Sequence, residues 1–89
     1  MVAQHCIIKG RVQGVGFRYF TFRSAEQHDI GGWVKNLPSG EVEMYATGDE
    51  NAMARFMSDI EKGPSLALVE HIEVRDVEPE PCSGFSIER

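Results

Sequence analysis

The apolar residues change period several times along this 89-residue chain, and each change marks an element. From Gln4 to Lys9 the pattern alternates, with Cys6 and Ile8 on one face, which predicts a short strand. From Phe17 to His28 the spacing becomes helical, with Phe17, Phe20 and Ala25 on one side and Gly31 and Gly32 as the stop. Trp33 to Leu37 reads as a second strand. The following Leu37-Pro38-Ser39-Gly40 carries proline and glycine where a type I turn places them. Glu41 to Thr47 alternates again, with Val42, Met44 and Ala46 facing one way. Asp49 is a helix cap, and Met53, Phe56, Met57 and Ile60 follow at i, i+3, i+4 and i+7 until Gly63 and Pro64 end that helix. Glu70 to Val77 is a fourth strand with Ile72 and Val74 inward. Glu78 to Cys82 is an extended connection, and Phe85 and Ile87 alternate in a last short strand.

The resulting order is β-α-β-β-α-β with a short extra C-terminal strand. It predicts an α+β, ferredoxin-like sandwich, with two helices on one face of an antiparallel sheet. In that topology the first and second strands run parallel with the third between them. Their carboxyl ends share one end of the sheet, roughly 10 Å apart at ordinary strand spacing. The segment after the first strand and the end of the second, with Lys35 and Asn36, are therefore expected to face a common space.

Length allows one domain, residues 1–89. The net charge of −5 argues against a nucleic-acid partner, because such binding rests on a surplus of Lys and Arg. The N-terminal residues contain no apolar run of the kind found in a leader or membrane span, so the expected location is the cytoplasm. Cys6 and Cys82 lie near opposite ends of the chain. They are read as two reduced thiols, the alternative being a bond between the terminal regions. His5, His28 and His71 fall on separate elements and form no metal motif, so no metal and no cofactor are expected.

The densest chemistry lies in Gly10-Arg11-Val12-Gln13-Gly14-Val15-Gly16-Phe17-Arg18, at the predicted strand-to-helix junction. It is not a Walker A loop, since Phe17 and Arg18 stand where Lys and Ser or Thr are required. Nor is it a dinucleotide fingerprint, since Tyr19 occupies the place of the third glycine. Its physics is still that of an anion site. The first N–H groups of a helix have no intrahelical partner, and together with the helix dipole they attract an oxyanion. Arg18 in the first turn opposes that dipole unless an anion lies beside it, the alternative being a surface arginine that follows a tight strand-to-helix turn.

This stretch resembles one signature of the acylphosphatase family. Gly32-Trp33-Val34-Lys35-Asn36-Leu37-Pro38-Ser39-Gly40-Glu41-Val42, with Gly48 beyond it, resembles the other. The resemblance implies hydrolysis of acyl phosphates, the mixed anhydrides of a carboxylic acid and phosphate. It assigns a phosphate cradle to the backbone N–H groups of Gly14, Val15, Gly16, Phe17 and Arg18. It gives the Arg18 side chain the phosphoryl oxygens and gives Asn36 the attacking water. A small-molecule substrate, inorganic phosphate as product and a monomeric chain are the partners and assembly it implies. Two other readings of the same chain are an anion-binding module without turnover and an RNA-binding domain of related topology. The second would require a basic field and stacking aromatics on the open sheet face.

Overall fold

The computed structural model describes every residue from Met1 to Arg89. The elements are β1 (Val2–Arg11), α1 (Phe17–Gln27), β2 (Gly31–Asn36), β3 (Val42–Gly48), α2 (Glu50–Lys62), β4 (Leu68–Val77) and β5 (Phe85–Glu88). They form one sheet in the order β4-β1-β3-β2-β5. Because β3 is antiparallel to both β1 and β2, those two strands run parallel and their carboxyl ends lie together, as the element order implies.

The sheet is mixed rather than antiparallel throughout, because β5 pairs parallel to β2. The chain leaves β4 at one edge, crosses to the opposite edge and reverses, so β5 opposes β4 and shares the direction of β2. The crossing is held partway, where the Glu80 N–H donates to Tyr45 Oη at 2.7 Å.

The core lies between the sheet and the two helices. Cys6, Ile8, Val34, Val42, Met44 and Ala46 supply the sheet side, and Phe17, Ala25, Met53, Phe56 and Ile60 the helix side. The α2 pattern expected from sequence is realised. Asp49 caps the helix, its side chain accepting from the N–H groups of Asn51 and Ala52, and Phe56 and Ile60 are fully buried. In β4, Ile72 packs against the core, whereas Val74, expected inward, is 45% exposed. Val74 sits opposite Cys6 in the ladder, but β4 is the sheet edge and the helical layer leaves that position open.

The end of α1 also differs from expectation. The helix stops at Gln27, and Asp29, not a glycine, takes the left-handed conformation at φ 58°. The N–H groups of Ile30 and Asp29 bond back to the carbonyls of Ala25 and Glu26, the paired bonds of a Schellman motif. Gly31 and Gly32 begin β2 instead.

Candidate active site

Two helices begin in opposite ways. The N-terminus of α2 has an aspartate cap and Glu50 in its first turn, the arrangement that satisfies both the free N–H groups and the dipole. The N-terminus of α1 has neither. Its N-cap is Gly16, no side chain caps it, and its first turn contains no acid. The first bond of the helix runs from the Phe20 N–H to the Gly16 carbonyl, so the N–H groups of Phe17, Arg18 and Tyr19 have no intrahelical acceptor.

The loop entering this helix is shaped by Gly14 at φ 73° and Gly16 at φ 79°. A Cβ at either position would meet nothing within 4 Å, so the left-handed backbone, not crowding, is what requires glycine. Such alternation of backbone handedness turns successive N–H groups toward one concave point, an anion-binding nest.

That concavity is a pocket of about 240 Å³ lined by Val12, Gly14, Gly16, Phe17, Arg18, Tyr19, Asn36 and Ile87. Three distant segments meet there: the loop with the start of α1, the end of β2, and β5. Asn36 reaches it by simple alternation. Val34 is fully buried on the helix-covered face, and Asn36, two residues on, shares that face where the strand runs out beneath the loop. Its Oδ1 is buried and has no hydrogen-bond partner in the protein. A buried carbonyl oxygen of this kind is an acceptor waiting for an O–H or N–H donor.

Of the six residues singled out from sequence, Gly14, Gly16, Phe17, Arg18 and Asn36 line the pocket, whereas Val15 does not. The Val15 side chain packs instead against the core and anchors the loop from behind. Three further wall residues, Val12, Tyr19 and Ile87, are not among the site residues expected from sequence. Val12 is buried. Tyr19 and Ile87 are exposed by 58% and 40%, so two large apolar surfaces flank the mouth. Arg18 is itself held by β5, its Nη1 donating to the Glu88 main-chain carbonyl at 2.9 Å. A guanidinium has five N–H donors, so this bond leaves the rest of its fork for an anion.

A profile of the acylphosphatase family matches residues 4–87. The chain belongs to the acylphosphatase family. An acylphosphatase of Archaeoglobus fulgidus is 46% identical over 87 residues, covering 98% of each chain. The crystal structure of the Bacillus subtilis acylphosphatase superposes with a TM-score of 0.97 at 40% identity, over the whole of both chains. The same fold also occurs as a part: full-length HypF, solved in a phosphate- and nucleotide-bound form, matches 99% of this chain with 12% of its own (TM-score 0.88, 32% identity). Membership of the acylphosphatase family makes this chain a hydrolase, and the two motifs that carry the resemblance are the loop and the β2 end just described.

No three His, Cys, Asp or Glu side chains come together as a metal-binding group. A larger groove, about 580 Å³, runs between α2 and the β1–β4 edge, but Glu50, Asp76 and Glu78 border it and would repel a phosphate. His5 pairs with Glu43 at 2.7 Å on the open sheet face, where Trp33 also lies with Lys35 Nζ 5.6 Å from its ring centroid. His28 joins Asp59 between the helices. No helix is long and apolar enough to cross a membrane.

Proposed function

We propose that this protein, acting as a single monomeric domain, hydrolyses acyl phosphates to a carboxylate and inorganic phosphate, without metal or cofactor. The observation that carries the reading is the uncapped start of α1, with Arg18 beside it and the unpaired Asn36 Oδ1 in the same pocket. The phosphoryl group sits in the nest formed by the N–H groups of Gly14, Val15, Gly16, Phe17 and Arg18. The Arg18 fork takes its remaining oxygens. Asn36 accepts a hydrogen bond from a water and aims that water's oxygen at phosphorus.

The chemistry needs no stronger tools. The leaving carboxylate has a pKa of about 4, so it departs at neutral pH unprotonated and no general acid is required. In phosphoryl transfer the protein contributes position and charge stabilisation rather than covalent steps. The water oxygen bonds to phosphorus as the bond from phosphorus to the carboxylate oxygen breaks, and a water proton passes to a phosphoryl oxygen. Asn36, a neutral amide, orients the water but takes no proton. Tyr19 and Ile87 flank the mouth, where the acyl group leaves the pocket. Two unbonded cysteines fit a reducing compartment such as the cytoplasm.

Purified protein given acetyl phosphate or benzoyl phosphate in the presence of EDTA is expected to release phosphate well above background. Phosphate binding with no turnover would favour the second reading, an anion-binding module on a fold that also occurs as a part of larger proteins.

A further inference from the structure

Gln13 spends both hydrogens of its side-chain amide on a different part of the chain. Its Nε2 donates to the Leu37 carbonyl at 2.8 Å and to the Glu41 carbonyl at 2.9 Å. These are the two carbonyls that close the β2–β3 turn. The Leu37 oxygen also accepts from the Gly40 N–H at 3.1 Å, and the Glu41 oxygen from the Leu37 N–H at 2.8 Å. A single amide therefore fills the second acceptor position of both carbonyls and joins the two limbs of the turn to the loop.

The sequence neighbours of these groups give the clamp its meaning. Gln13 lies between Val12 and Gly14, both on the wall of the pocket, and Leu37 directly follows Asn36. The Asn36 Oδ1 has no partner in the protein, so that oxygen is placed through the backbone that carries it. The backbone is fixed on one side by the β2–β3 ladder, which ends at the Asn36–Val42 pair. Beyond that pair, Gln13 is the side chain that ties the turn to the loop.

We infer that Gln13 is a positioning residue for the hydrolytic reaction: its amide sets the distance and angle between the phosphate cradle and Asn36. The inference rests on the function proposed above. It assigns Gln13 no contact with substrate. It separates two tasks, because the cradle N–H groups and Arg18 bind phosphate while Gln13 acts only through the Asn36 side of the site. Loss of the clamp should therefore lower kcat and leave phosphate affinity nearly unchanged. A displacement of about 1 Å at a positioned group can cost on the order of 100-fold in rate.

The test is a double-mutant cycle, with acetyl phosphate turnover and inorganic phosphate affinity measured on Gln13→Ala, Asn36→Ala and the pair. Gln13→Met, which keeps the side-chain length without a donor, runs alongside in case the alanine variant fails to fold. The expected result is a kcat lower by tenfold or more in Gln13→Ala, a phosphate Kd within about twofold of the parent, and a double variant no slower than Asn36→Ala. Equal factors of loss in both backgrounds would overturn the inference, as would an unchanged kcat or a weakened phosphate Kd with normal kcat. Amide hydrogen exchange at Leu37 and Gly40 supplies a readout independent of turnover. If the parent protein is inactive, the proposed function fails on its own, and faster exchange at both amides in the variant still identifies the clamp. Unchanged exchange removes it.

Discussion

Arg18 and Glu88 lie 70 residues apart in sequence, yet a guanidinium N–H of the first meets the main-chain carbonyl of the second at 2.9 Å. The short strand β5 thereby does more than close the sheet edge. It restrains the one cation that lines the pocket. Removing Glu88 and Arg89 should leave the fold intact, because the β5 side chain that packs against the core is Phe85. The bond is worth about 1 kcal/mol, with charge assistance on the donor side. The expected outcome is a severalfold weaker phosphate Kd, measured by titration calorimetry, with a thermal midpoint lower by no more than about 4–8 °C.

Replacing Arg18 by Lys tests the fork itself. Lysine keeps the charge but loses the planar, multiply donating geometry. Activity is expected to fall by about two to three orders of magnitude, the cost of removing a well-aimed oxyanion donor. The thermal midpoint should hardly move, since Arg18 occupies a first-turn position that favours no cation in the free protein. A fully active lysine variant would contradict its assignment. Asn36→Ala, by contrast, should lower kcat while phosphate still binds.

The two helices are stapled by a polar cluster. Ser24 Oγ donates to Asp59 Oδ2 at 2.8 Å, and His28 Nε2 lies 3.0 Å from the same oxygen. The Ser24 hydrogen bond, then those of His28 and its charge with that of Lys62, hold the Asp59 carboxyl below its ordinary range against the opposing effect of burial. A carboxyl lowered in the folded state stabilises the fold above its unfolded pKa, about 3.9, and that contribution disappears as pH falls through the lowered folded value. Asp59→Asn should therefore reduce the urea midpoint at pH 7 and at pH 5, and the gap from the parent should narrow toward pH 2. Ser24→Ala, removing a buried donor, is expected to cost about 1 kcal/mol at neutral pH.

Cys6 and Cys82 give a probe of opening. Cys6 is fully buried in β1, and burial pushes its thiol up to about 12, whereas Cys82 is exposed. The β3 strand separates β1 from β2, beside which Cys82 lies against Gly31, so the two sulfurs are not bonded. A thiol reagent at pH 8 should label one cysteine rapidly in the native protein and the second only with unfolding. Equal labelling rates would show that β1 opens readily.

Much of the architecture was legible because it rests on period and punctuation. The alternation of Val42, Met44 and Ala46, the spacing of Met53, Phe56 and Ile60, and the cap at Asp49 all describe local geometry that the tertiary structure keeps. Asn36 was placed at the shared end of the sheet by the element order, and its role came only from the resemblance to the acylphosphatase signature. The misses share a different cause. The Arg18–Glu88 and Gln13–Leu37 bonds end on main-chain carbonyls, which every residue has, so no side-chain pattern announces them. The exposure of Val74 depends on its strand being an edge, and the parallel pairing of β5 on where the chain crosses. Both are properties of the assembled sheet and not of any segment. Asp29 took a role usually given to glycine because a short polar side chain tolerates the left-handed region, which composition alone does not reveal.

The bare start of α1 finally has a thermodynamic side. The native fold is left incomplete at the one place where α2 is finished with an aspartate, and the group that completes it is the product of the proposed reaction. Phosphate that binds the native chain and not the unfolded one raises stability by mass action, by about 2.7 kcal/mol when its free concentration is a hundred times its Kd. Folding, turnover and product retention are thus linked through the same few N–H groups. A tighter cradle would make a more robust protein and a slower catalyst, and a cradle finished by a carboxylate from the chain itself would give up the reaction altogether.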